Sequence, residues 1–211
     1  MITKAKMRRI VREIAELDPK FKAVIEKSEL CDLGLPKPEN TGDSGRSHFE
    51  SLVSSVISQQ LATAAARTIK ARFISECGKV TPKNVSKLSE DQMRAVGLSA
   101  AKSKTIQGLA SASLNREIDF RKLHEQVDDE VYQSLTSLWG IGPWTVDMFM
   151  MFQLGRLDIW PTGDLGVRRG WERIHKLKDE ITPESLEKKG AKFQPHRSVV
   201  AWYCWRALDN A

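Results

Sequence analysis

Only three cysteines occur in the 211 residues, Cys31, Cys77 and Cys204. They are too few and too far apart for a zinc or iron–sulfur set, and they read as reduced thiols of a cytosolic chain. No apolar run approaches the roughly 20 residues that span a membrane, and the N-terminal MITKAKMRRIVREIAELD lacks a signal-peptide apolar segment. No stretch sustains the alternation of a half-buried strand, and there is no internal repeat or low-complexity tract. These absences leave a helical chain without a membrane partner.

Lysine and arginine total 33 against 27 acids, giving a net charge of +6 and a pI near 9.3. That balance favours a polyanionic partner, although an ordinary mildly basic surface would look the same. The length suffices for one large domain or two small lobes sharing a cleft.

Helical periodicity runs through the chain. Met7, Ile10, Val11, Ile14 and Leu17 form one stripe, Asp18-Pro19 interrupts it, and Phe21, Val24 and Ile25 predict a short second helix. Glycines and prolines between Leu33 and Arg46 mark a loop or a crossing between lobes. Ser47-His48-Phe49-Glu50 has capping-box spacing and opens a helix carrying Phe49, Leu52, Val53, Val56, Ile57, Leu61, Ala64 and Ala65, with a break near Ser58-Gln59-Gln60. Two further starts follow, at Thr81-Pro82 and Ser89-Glu90. Lys102 and Lys104 stand at the head of the next helix, where flexible cations suit a phosphate. Asp128 is expected to cap a helix carrying Val131, Leu135 and Leu138. Val146 to Phe152 reads as a buried helix, and three more are expected at 165–176, 182–188 and 197–208.

The densest stretch is LWGIGPWTVDMFMMFQLGRLDIWPTGD, Leu138 to Asp164. Gly140 and Gly142 permit a tight turn, and Pro143 suits the first turn of a helix. The amides of Gly140, Gly142 and the helix start would point outward together, an arrangement that binds phosphate. The stretch ends with an acid, Asp164, at the head of another helix, where aspartate is also a common cap.

Gly-Ile-Gly-Pro-Trp-Thr followed by Pro-Thr-Gly-Asp resembles the helix-hairpin-helix DNA glycosylases, in particular the 3-methyladenine DNA glycosylase II branch. HFESLVSSVISQQLATAAA, GLSAAKSKTIQGLA and FQPHRSVVAWYCWRAL fit the same branch in the same order, over roughly residues 45 to 208. The resemblance implies an all-α fold of two lobes, 43–156 ending in the hairpin and 1–42 with 157–211, with the active site in the cleft between them. It implies a monofunctional enzyme that flips alkylated purines, such as 3-methyladenine and 7-methylguanine, out of duplex DNA and hydrolyses them off. Asp164 would be the catalytic carboxylate. Trp144, Trp205 and Met148 would line the base pocket, the aromatic faces favouring a cationic base. Gln60 or Leu61 would fill the gap left by the flipped nucleotide, and Gly140, Gly142, Thr145, Lys102 and Lys104 would hold the DNA. Arg197 matches an arginine expected to be structural.

The resemblance requires no cofactor. It implies at most a monovalent cation on the carbonyls of Thr136, Leu138 and Ile141, and it departs from the endonuclease III branch, whose four-cysteine cluster is missing. A tryptophan at 144 also replaces the lysine with which bifunctional relatives form a Schiff base. The expected partner is duplex DNA with alkylated bases, met by a monomer in bacterial or archaeal cytoplasm or in a nucleus. Two alternatives stay open: a non-catalytic hairpin module that binds DNA, and a bifunctional glycosylase/lyase for oxidised bases.

Overall fold

A computed structural model describes residues 2–36 and 46–209 of the chain. The regular elements among them are all helical, as expected, with no strand. In chain order they are α1 (Lys4–Leu17), α2 (Lys22–Lys27), α3 (His48–Ser58), α4 (Thr63–Cys77), α5 (Pro82–Val85), α6 (Glu90–Ala95), α7 (Ala100–Leu114), α8 (Asp128–Thr136), α9 (Pro143–Phe152), α10 (Leu165–His175), α11 (Pro183–Gly190) and α12 (Arg197–Asp209), with short 3₁₀ turns at Pro19–Phe21, Phe120–Lys122 and Ala191–Phe193. The chain divides into two compact units, Met1–Pro38 with Met150–Ala211, and Glu39–Phe149. The loop read between Leu33 and Arg46 falls mostly on 37–45, outside the described residues.

The unit formed by the chain ends is built on the pairing of α10 with α12. A Cβ on Gly170 would collide with the Cys204 backbone, so a glycine here lets the two helices approach closely. Trp171, Val199, Val200, Tyr203 and Cys204 are buried around this crossing, and α1 adds Met7, Ile10, Val11 and Ile14 from one face. Leu17, expected in that stripe, is exposed instead, because the helix ends there and Asp18 is extended. Cys31, Cys77 and Cys204 are all free and buried, and burial pushes the Cys31 thiol up to about 12. They behave as small core residues.

In the Glu39–Phe149 unit, Phe49, Leu52, Val53, Val56 and Ile57 of α3 are buried, as are Ile106, Leu109 and Ala110 of α7. Ala64 and Ala65 are exposed and Ala66 is buried instead, because the break after Ser58 resets the helical phase before α4 begins. Asp128 is the first residue of α8 rather than its cap. Val127 takes the cap position, and its N–H donates to Glu130 Oε2 at 3.3 Å.

One buried polar cluster ties α1 to the far end of the chain. Asp18 accepts from Lys192 Nζ at 3.0 Å and from the Lys20 amide at 3.2 Å, and His175 Nε2 lies 3.0 Å from its Oδ2. The His175 ring stacks on Trp171 with centroids 4.0 Å apart. Burial alone would raise the Asp18 carboxyl, but the hydrogen bonds from His175, Lys192 and the Lys20 amide outweigh it and hold it below the ordinary carboxylate range. A carboxyl depressed by folding stabilises the fold above its unfolded pKa, and that contribution is lost as pH falls through the folded value. Asp18→Asn is therefore expected to lower unfolding stability by about 1–3 kcal/mol at pH 7. The gap between variant and wild type in urea melts should shrink as pH drops below about 4; a gap that stays constant down to pH 2 would contradict this.

Candidate nucleic-acid interface and active site

In the Glu39–Phe149 unit, α8 ends at Thr136 and α9 begins at Pro143, and the turn between them closes with the Ile141 amide donating to the Leu138 carbonyl at 3.1 Å. Gly140 has φ +81°, a region L side chains rarely adopt, and a Cβ there would strike Thr105 Oγ1 on α7. Ile141 is buried and plugs the turn, whereas Gly142 is exposed with open space around its α-carbon. At Gly140 and Gly142 the turn thus presents only backbone.

One side chain ties this turn to the loop after α3, and a second fastens that loop to α7. Gln59 Nε2 donates to Thr145 Oγ1 at 3.1 Å and to the Gly140 carbonyl at 3.4 Å. Lys102 Nζ donates to the carbonyls of Ile57 and Gln59, both at 2.8 Å. Gln60, in a left-handed conformation at φ +54°, and Leu61 are left exposed at the tip of the loop.

Two of the expected DNA contacts have partners within the protein. The Lys102 ammonium satisfies the orphan carbonyls at the end of α3, and desolvation lowers its pKa. Thr145 is 3% exposed, and its hydroxyl accepts from Gln59. Lys104 remains exposed, with its ammonium 4.3 Å from the ring centroid of Trp139, itself 54% exposed. Neither Gln59 as a brace nor Trp139 stands out in the sequence. The available signal was a large aromatic directly before a turn glycine.

α9 is not buried all round. Trp144 is 46% exposed, Phe152 is 42% exposed, and Met148 is intermediate, while Val146, Phe149, Met150 and Met151 are buried. Trp144, Met148 and Phe152 recur every four residues, which places them along one strip of the helix.

In the unit formed by the chain ends, Asp164 caps α10, its Oδ1 accepting the Val167 amide at 2.8 Å. The same oxygen accepts from Trp205 Nε1 on α12 at 2.9 Å. A Cβ on Gly166 would stand 2.8 Å from Trp205 Cδ1 and 3.1 Å from Asp164 Oδ1, so the indole reaches the carboxylate only over a glycine. Trp205 also faces Phe152, with ring centroids 5.8 Å apart and planes inclined by 31°. Trp202 and Tyr203 are buried in the core. Asp158 is held by Arg197 through Nε at 2.8 Å and Nη2 at 3.0 Å, which gives that arginine a structural role. Arg169 pairs with Glu180 and Glu172. Gly166 and Phe152 escape a reading of the sequence, since neither carries a chemical group that marks it.

A glycine-rich turn between two helices, a carboxylate at a helix start and an aromatic partner on that carboxylate define a recognisable class. Residues 53–196 match the HhH-GPD superfamily of base excision DNA repair proteins, and the chain belongs to that superfamily. It is similar to DNA-3-methyladenine glycosylase 1 of Schizosaccharomyces pombe, 35% identical over 77% of this chain and 73% of that protein. It is also similar to the alkylbase DNA glycosidase-like protein mag2 of the same yeast, 28% identical over 94% of this chain and 92% of that protein. Among solved structures, the S. pombe 3-methyladenine DNA glycosylase Mag1 in complex with abasic DNA superposes with a TM-score of 0.80 at 30% identity, covering 94% of this chain and 95% of that one. The DNA-3-methyladenine glycosidase of Bacillus halodurans gives 0.79 at 31% identity, covering 94% and 88%.

Gly140→Ala should strain the turn by its positive φ and by its contact with Thr105 together. A loss of about 1–3 kcal/mol in urea unfolding is expected, with weaker binding to undamaged duplex. Wild-type stability and affinity in this variant would show that the turn does not depend on the glycine.

Proposed function

We propose that this chain is a monofunctional DNA glycosylase that excises alkylated purines such as 3-methyladenine and 7-methylguanine from duplex DNA, leaving an abasic site. The observation that carries the reading is the anchoring of Asp164: two donors, the Val167 amide and the Trp205 indole, converge on one carboxylate oxygen. They fix the plane of the group beside which the sugar would react. The names of the relatives support the same substrate class.

In this mechanism the C1′–N bond breaks with its electron pair leaving on the base, which departs neutral when alkylation has made it cationic. The sugar gains positive charge, which the ionised Asp164 stabilises. Water then attacks C1′, and the proton it sheds passes to the carboxylate and on to solvent. Phe152 and Trp205, with ring centroids 5.8 Å apart, supply aromatic surface for a flipped cationic base. An indole at 144 offers no amine for a Schiff base, which supports hydrolysis without strand cleavage.

On the DNA side, Gly140 and Gly142 bring the hairpin backbone to a phosphate, Lys104 adds a cation, and Gln60 with Leu61 fills the gap left by the flipped nucleotide. One copy of the chain suffices for this set of contacts. No cofactor takes part in these steps. Among the described residues no cluster of three or more His, Cys, Asp or Glu could hold a metal ion. Thr136 ends α8, where helix carbonyls lack intrahelical partners, and the Leu138 and Ile141 carbonyls follow in the turn; oxygens so placed suit a monovalent cation shared with phosphate.

Base release from alkylated duplex is the direct test. Asp164→Asn should lose about 10²- to 10⁴-fold in single-turnover rate while keeping its DNA affinity, and no nick should appear with either protein. Trp205→Phe, which keeps an aromatic ring and removes the N–H, should lose about ten- to a hundredfold in the same single-turnover rate. Wild-type binding with no base released from any alkylated duplex would reduce the chain to a DNA-binding module.

A further inference from the structure

The net charge is carried entirely by one unit. Met1–Pro38 with Met150–Ala211 holds 20 lysines and arginines against 14 acids, whereas Glu39–Phe149, which contains the hairpin, holds 13 of each. Within the charged unit a groove of about 530 Å³ is rimmed by Lys20, Lys27, Arg173 and Lys176 over an apolar floor that includes Val24 and Ala207. No carboxylate lines it, and its His175 is held to Asp18. None of the four rim cations enters an ion pair among the described residues.

Cations at the end of a helix are favoured by its dipole, and Arg173 in the last turn of α10 with Lys176 at its C-cap fit that account. The same account covers Lys27 in the last turn of α2, but it does not explain why these cations and Lys20, from two separate segments, converge on one groove. Lys20 comes from the Pro19–Phe21 turn and Lys27 from the end of α2, with Val24 between them in the floor of the groove. The groove also lies at the opposite end of α10 from Asp164, about 16 Å away along the helix. Its cations are out of reach of a sugar held at that carboxylate.

We propose that this groove binds the phosphate backbone of a second DNA segment, so that one copy of the protein bridges two duplexes. A family that works on DNA meets this polyanion at high local concentration, and a hold on a second segment lets the protein transfer between stretches of DNA while searching for damage. The inference rests on the family's partner being DNA and not on the role of Asp164.

A bridging assay tests it. Immobilised undamaged duplex is saturated with wild type or with Lys20→Gln/Lys27→Gln/Arg173→Gln/Lys176→Gln, washed, and offered a second, fluorescently labelled duplex at low salt. Wild type should capture the second duplex. The variant should stay on the first duplex, keep its helical circular dichroism and its single-turnover base release, and capture at least about tenfold less, with the salt slope of capture reduced by about 3 to 4. Failure of wild type to capture, or equal capture by the variant, would overturn the proposal. So would weakened binding of the first duplex without bridging, which would put the groove on the same DNA. Groove-dependent binding of polyglutamate in place of the second duplex would assign it to an acidic protein. Capture needs no base release, so the glycosylase reading can fail without this one, and the reverse.

Discussion

Asp164 Oδ1 accepts two hydrogen bonds that belong to different helices. One comes from the first turn of α10, which it caps, and the other from the indole of Trp205 on α12. The second requires α12 to lie nearly against α10, and two glycines allow it. Gly166 and Gly170 are one helical turn apart on α10, the first under Trp205 and the second under the Cys204 backbone. Glycine inside a helix costs about 1 kcal/mol relative to alanine, a cost incurred twice here to bring an aromatic donor onto a carboxylate. The packing of this unit and the placement of its proposed catalytic group are therefore one constraint.

The Glu39–Phe149 unit meets a similar demand with polar side chains. A turn proposed to offer its backbone to a phosphate must be free of bulky groups at its glycines, and its supports lie behind it. Thr105 sits under Gly140, Gln59 reaches the Gly140 carbonyl and Thr145, and Lys102 fastens the loop from which Gln59 comes. Buried polar groups of this kind stabilise only when each finds its partner, and here they lock two loops into one surface. Gln60, Leu61, Gly142 and the Lys104–Trp139 pair are what that surface leaves exposed.

Patterns that repeat with a helical period are legible in the amino-acid sequence. The stripe of α1, the Ser47 cap of α3, the break after Ser58 and the glycine-rich turn all follow from local rules that the chain obeys residue by residue. Asp164 is legible for the same reason, since it combines a cap position with a motif. Local pattern says least where two neighbouring residues of one type face opposite ways. Lys102 points inward and Lys104 outward, although both are lysines at a helix start. Phe152 resembles core because its neighbours are core, yet it lies on the one strip of α9 that is not fully buried.

By itself the sequence determined the helical class, the hairpin, the carboxylate and the net basic charge, because each is a property of composition or of short-range spacing. Tertiary structure alone decided which partner each polar group received: that Trp205 presents its N–H to Asp164, that Lys102 holds a loop, and that the excess charge gathers on one unit around a groove. Those outcomes depend on residues 40 or more positions apart meeting through packing, which no local pattern encodes.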